Sequence, residues 1–186
     1  MTHSNDAPYV VVVSGLPATG KSTLSKRLGR DLSIPVISRD AIFAAVFADI
    51  DIPDAPTIVP AAITRVINHT LGAILATGGG VVLDGNFNTP QHADGLADML
   101  AVHDARSIEI CVWGDPDVLT ARFAERADPP LDDELRPYFE EVLHRPRRPA
   151  LENATRVLEF DTTEFDALEA GYADLLDVVR RVASGA

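Results

Sequence analysis

The sequence predicts a three-layer α/β fold, a parallel sheet with helices on both faces. Two observations carry this expectation. In the stretch Tyr9 to Thr23, four consecutive valines lead into a glycine-bounded loop and then a helix start. Beyond it, apolar stretches near residues 35, 81, 107 and 156 alternate with helical ones. That rhythm builds a parallel sheet covered on both sides. At 186 residues the chain is expected to form one domain, residues 1–186, burying about 70% of the surface its unfolded form exposes.

The first strand is read from Val10 to Val13, β-branched and apolar throughout, as a strand buried on both faces requires. Leu24 and Leu28 carry the following helix to about Asp31, where Leu32-Ser33-Ile34-Pro35 breaks it. Pro35 to Ser38 is a short second strand opening on an edge proline. A helical stretch, Ala41 to Ala48, follows, and residues Asp49 to Pro56, with two prolines and three acids, read as a loop. A long helix is expected over Thr57 to Ala76, with Pro60 in its first turn, where N–H groups have no intrahelical partner. No apolar run is read as approaching membrane-spanning length.

Gly78-Gly79-Gly80 reads as a helix cap and turn, because a phosphate cradle should open a helix rather than close one. Gly80 to Asp84 is an apolar strand that delivers a carboxylate at its C-terminal edge. In open α/β sheets that edge carries the ligand site. Thr89-Pro90 starts a helix running to about His103. Ser107 to Trp113 is a strand with Ile108, Ile110 and Val112 on one side and Glu109, Cys111 and Trp113 on the other. A helix then carries Leu119, Arg122, Phe123 and Arg126 up to the break at Ala127-Asp128-Pro129-Pro130. Arg156 to Phe160 is the last strand. Thr162 or Thr163 is expected to cap the closing helix, whose stripe is Phe165, Leu168, Tyr172, Leu175, Leu176, Val179 and Val182.

Composition narrows the function. A net charge of −12 argues against general nucleic-acid or anionic-membrane binding, since affinity for either comes mainly from excess Lys and Arg. Cys111 is the only cysteine, so no intrachain disulfide or multi-cysteine zinc site forms, and it reads as a core thiol. Met1 to Pro8 is polar and lacks the apolar region of a signal peptide, which leaves the cytoplasm as the expected location.

The chemistry starts at Gly15. Gly15 to Ser22 matches G-x-x-x-x-G-K-[ST], between a strand and a helix. Glycines at both ends let the backbone curl so that successive N–H groups point at phosphate oxygens, and the helix N-terminus adds its positive dipole end. Gly15, Leu16, Pro17, Ala18, Thr19, Gly20, Lys21, Ser22 and Thr23 are the expected nucleotide cradle. Lys21, one of only two lysines, would reach the β- and γ-phosphates, and the Ser22 hydroxyl would take a Mg²⁺ position. A GTPase switch would need an Asn-Lys-x-Asp that neither Lys21 nor Lys26 supplies, and the one glutamine, Gln91, stands at a helix start. Motor and oligomeric ATPases generally need more chain.

G-L-P-A-T-G-K-S-T, then S-R-D, V-V-L-D-G-N-F and L-T-A-R-F-A-E-R in that order resemble the small P-loop kinases of the polynucleotide kinase and chloramphenicol phosphotransferase-like group. The resemblance spans nearly the whole chain. It implies an adenylate-kinase-like five-stranded parallel sheet of order 2-3-1-4-5 with a helical lid at roughly 127–150. It implies ATP and Mg²⁺ as partners and phosphoryl transfer to a hydroxyl. Asp40 corresponds to the base, with Arg39 beside the acceptor or a phosphate. Asp84 would lie near Mg²⁺ or the acceptor, Asn86 near the acceptor, and Arg126 and Arg122 would be lid arginines on the nucleotide. Arg145, Arg147 and Arg148 are either lid charge or a solvated face. Where polynucleotide kinases carry an arginine three positions after the aspartate, this chain has Phe43. The expected acceptor is therefore a small molecule such as an antibiotic, nucleoside or sugar, with a polynucleotide or tRNA-linked hydroxyl, or a non-catalytic nucleotide sensor, as the alternatives.

Overall fold

A computed structural model describes residues 7–47, 55–87, 90–125, 137, 139–143, 149, 151, 154–164 and 166–185. Five strands, β1 (Tyr9–Gly15), β2 (Val36–Ser38), β3 (Gly80–Asp84), β4 (Arg106–Trp113) and β5 (Arg156–Asp161), form one sheet of order β2-β3-β1-β4-β5. Every pairing is parallel. The helices are α1 (Lys21–Leu32), α2 (Arg39–Phe47), α3 (Ala55–Leu75), α4 (Pro90–Val102), α5 (Pro116–Ala124) and α6 (Ala167–Ser184). A further helical stretch includes 139–142. The three-layer fold and the strand order are as expected.

The valine run explains the layers. Val10 and Val12 pack with Val59, Ile63, Ile67, Leu71 and Leu75 of α3 and with Leu96 and Leu100 of α4. Val11 and Val13 point the other way, against Leu24 and Leu28 of α1 and Tyr172, Leu175 and Val179 of α6. All four valines are fully buried. Parallel strands need this, because crossover helices cover both sheet faces. A third, smaller cluster joins Leu119 and Phe123 of α5 to Phe139, with Leu16 and Ala18 of the Gly15–Thr23 loop packed on it. The Phe123 and Phe139 rings stack at 4.5 Å and 6°.

Five local expectations are corrected. First, α2 begins at Arg39, before Ala41, because Ser38 caps it: Ala41 N donates to Ser38 Oγ at 3.4 Å. Second, α3 begins at Ala55, so Pro60 lies inside the helix and the expected loop ends earlier. Third, Ile58–Leu75 is long and apolar enough to cross a membrane by length and composition. Its buried residues recur every fourth position, from Val59 to Leu75, and form the core stripe that covers the sheet. Fourth, β4 begins at Arg106, one residue early. Fifth, Asp166 occupies the N-cap position of α6, so Thr162 and Thr163 are free for other partners. The glycine run behaves as expected: Gly78 and Gly79 N–H groups close α3 on the Leu75 and Ile74 carbonyls, with Gly78 at φ 74°.

Candidate active site

The C-terminal ends of β1, β3 and β2 lie side by side, and their register brings the expected residues to one edge. Asp84 is level with Val13 on one flank and Ser38 on the other. The chain leaves β1 directly into the loop. Gly15 has no room for a side chain, since a Cβ there would collide with the Val112 carbonyl. At the loop's far end Gly20 sits at φ 82° with open space around it, so there only the backbone conformation calls for glycine. Ala18 adopts a left-handed φ of 66°, a conformation that costs about 1–2 kcal/mol without glycine.

Three side chains hold that curl. Thr19 Oγ1 donates to Leu16 O at 2.8 Å and Asn86 Oδ1 accepts from Gly15 N at 3.2 Å. Thr162 Oγ1 lies 2.9 Å from both Thr19 O and Trp113 O, tying the loop to the ends of β4 and β5. The helix that follows is left ready for an anion. No side chain caps α1 and no acid stands in its first turn, whereas Asp115 caps α5 through Asp117 N and Val118 N. Lys21 and Ser22, half-buried, open α1, and Lys21 has no ion pair among the described residues. Such a helix start carries free N–H groups and partial positive charge.

At the ends of β2 and β3, one hydroxyl serves a carboxylate and a helix start. Ser38 Oγ donates to Asp84 Oδ2 at 3.1 Å and accepts from Ala41 N. With Ser38 as the cap, Asp40 is not needed to end the helix, and it stands exposed in the first turn of α2. Asp84 is 3% exposed and its Oδ1 is buried without a hydrogen-bond partner among the described residues. A buried carboxylate oxygen with no donor suits a cation or its bound water. Mg²⁺ usually takes one or two carboxylates plus phosphates and water, so it does not need the cluster of three His, Cys, Asp or Glu that the described residues lack. The unpartnered Asp84 Oδ1 is compatible with such an ion. Arg39 is half-buried, its stem resting over Gly85, and its Nε also lacks a partner among the described residues.

The other expected residues divide. Arg122 donates from its two terminal nitrogens to Thr162 O at 2.7 Å and Thr163 O at 3.2 Å, so it braces the loop after β5 behind the cradle. Arg126, Arg145, Arg147 and Arg148 lie outside the described residues, as does most of the segment 127–150. Ser38 and Thr162 were missed as site residues. A serine two positions before Asp40 is a visible capping signal, but the Thr162 contact joins residues far apart in sequence and has none.

Glu109 was placed on the correct strand face but not recognised as a fully buried carboxylate. It accepts from Ser14 Oγ at 2.9 Å and from Leu151 N at 2.8 Å. Burial, and then the nearby Glu109 charge, push the Cys111 thiol up to about 11. As expected of a core thiol, it stays protonated and poorly nucleophilic at neutral pH.

Fold and cradle together define a P-loop protein with the architecture of the small kinases. The family comparison agrees: a model described as an AAA domain, AAA_33, matches residues 10–143, and the chain belongs to that family. No curated protein matches. Among solved structures, one from Chloroflexus aurantiacus J-10-fl, described as a kinase by inference, is 26% identical with a TM-score of 0.77, covering 96% of this chain and 97% of its own. Kti12 from Chaetomium thermophilum, solved with ADP-AlF3, is 19% identical with a TM-score of 0.66 over 94% and 98%. The Mycobacterium tuberculosis APS kinase CysC, solved with AMPPNP and APS, is 18% identical with a TM-score of 0.61 over 92% and 99%. The last two likenesses are of fold.

Proposed function

We propose that this protein is an ATP- and Mg²⁺-dependent phosphotransferase of the polynucleotide kinase and chloramphenicol phosphotransferase-like group, acting on the hydroxyl of a small molecule. The observation that carries the reading is the division of labour at Ser38. It caps α2 and holds Asp84, which leaves Asp40 an exposed carboxylate without a partner among the described residues, just past the C-terminal end of β2 on the sheet edge that carries the phosphate cradle. The cradle N–H groups, the start of α1 and Lys21 hold the β- and γ-phosphates. Asp40 takes the proton of the acceptor hydroxyl as its oxygen bonds to the γ-phosphorus. The bond from that phosphorus to the β–γ bridging oxygen breaks, and ADP departs with the electron pair. Ser22 and Asp84 would hold Mg²⁺, which when bound neutralises charge on the phosphates. Arg126, and less directly Arg122, would add positive charge to the transferring phosphoryl group as lid arginines.

Phe43, exposed where an arginine would serve a polynucleotide end, and the net charge of −12 favour a small acceptor. Asp40→Asn should keep ATP affinity and lower acceptor-dependent ADP release by about 10²- to 10⁴-fold. Lys21→Ala should lose ATP affinity and turnover. Unchanged turnover in Asp40→Asn removes the base assignment, and normal ATP binding and turnover in Lys21→Ala removes the phosphate site.

A further inference from the structure

Beneath Arg39, between α3, β3 and α4, lies a crevice that the phosphate chemistry does not use. Arg39, Asn68, Leu71, Leu83, Phe87 and Gly95 contribute to its walls, and its volume is about 20 Å³, room for one water-sized group. It adjoins the reactive edge at three points of the chain, since Arg39 precedes Asp40, Leu83 precedes Asp84 and Phe87 follows Asn86.

Two features mark it as more than a packing fault. Arg39 Nε is buried without a partner, and Arg39 forms no ion pair among the described residues. A buried donor left unmade is costly, so an incoming acceptor oxygen is favoured there. Gly95, in turn, sits inside α4, where alanine would serve the helix better. Its backbone is not left-handed, and a Cβ there would meet only Asn68 Nδ2, at an ordinary 3.8 Å. The fold does not require glycine at 95. What glycine supplies there is space, beside an unpaired cation.

We propose that this crevice is the specificity subsite for the phosphate acceptor and that the acceptor is a compact hydroxy acid. Its carboxylate meets Arg39, and a methyl- or methylene-sized part of it lies between Phe87, Leu71 and Gly95. Its hydroxyl then faces Asp40. In so acidic a chain an anionic acceptor needs a local cation, and Arg39 is one that no carboxylate among the described residues holds. The inference rests on the phosphotransferase reading above.

The test measures ADP release with saturating Mg-ATP against a panel of short-chain and ring hydroxy acids, their neutral amides, polyols and nucleosides. Wild type should favour a hydroxy acid over its own amide. Gly95→Ala should raise the KM for that acid about tenfold or more, as filling methylene-sized space does, with the KM for ATP unchanged and the melting temperature no lower. Gly72→Ala is the control: its Cβ would meet Met99 Sδ at 3.4 Å outside the crevice, and both KM values should hold. Preference for a polyol or nucleoside, or an unchanged acceptor KM in Gly95→Ala, overturns the subsite. Protein that binds ATP but transfers to none of the hydroxy acids overturns it too, leaving the phosphotransferase reading intact. Failure to bind ATP at all counts against that reading instead.

Discussion

At Ser38 a single hydroxyl serves two neighbours, donating to Asp84 Oδ2 and accepting the Ala41 N–H. Ser38→Ala removes a helix cap and strips the buried Asp84 carboxylate of the Ser38 hydroxyl donor. The expected cost is about 1–3 kcal/mol in urea unfolding, with kcat falling more than ATP affinity because Asp40 rides on the same helix turn. Equal stability of the two proteins would show that the hydroxyl does neither job. Lys21 and Ser22 belong to a local motif, and spacing along the chain sets them at the start of α1. Asn86 was read only as an acceptor contact. Its bond to Gly15 N spans two strands and follows from sheet register.

At the scale of elements, the loop between β5 and α6 serves as a brace rather than a cap. Thr162 reaches Thr19 O and Trp113 O, and Arg122 holds the same loop from α5. Thr162→Val keeps the shape and loses the hydroxyl. It should cost about 1–2 kcal/mol and raise the KM for ATP with little change in acceptor KM, since the curl at Thr19 is part of the phosphate cradle. An unaltered KM for ATP would separate this contact from nucleotide binding. Threonines before an apolar stripe commonly cap a helix, which is why one is expected here. Asp166 stands at the helix start instead, and burial of Thr162 decides its role. Elsewhere the elements were legible wherever periodicity was long, as in α3, and boundaries slipped where prolines and short strands left little pattern.

Across the whole molecule, α1 and α6 are fastened by a polar network over the second core layer. Tyr172 Oη donates to Asp31 Oδ2 at 2.9 Å, Arg27 lies 3.8 Å over the Tyr172 ring, and Arg27 pairs with Glu169 at 2.6 Å. Hydrogen bonds from Arg30 and then Tyr172 hold the Asp31 carboxyl below its usual 3.8. Burial, followed by the bond to Asp31, pushes Tyr172 up to about 12 from 10.0. The Asp31 contribution is present above the unfolded value and is lost as pH falls through the folded one. The Tyr172 contribution is present below pH 10.0 and is lost as pH rises toward about 12. Denaturant unfolding across pH should show both losses, and Tyr172→Phe should abolish the alkaline one. A wild-type stability that is flat from pH 10.0 to about 12 would exclude Tyr172 as its source.

What the sequence determined by itself was the glycine-bounded loop and the fold around it. The valine run, the glycine-bounded loop and the strand–helix alternation are local patterns, and local sterics and burial on both faces leave them few solutions. The tertiary structure alone decided the rest. Sheet register set Ser38 beside Asp84, and the packing of α3, α4 and β3 enclosed the crevice under Arg39. Those contacts join residues far apart in the chain, so they exist only once the layers have closed.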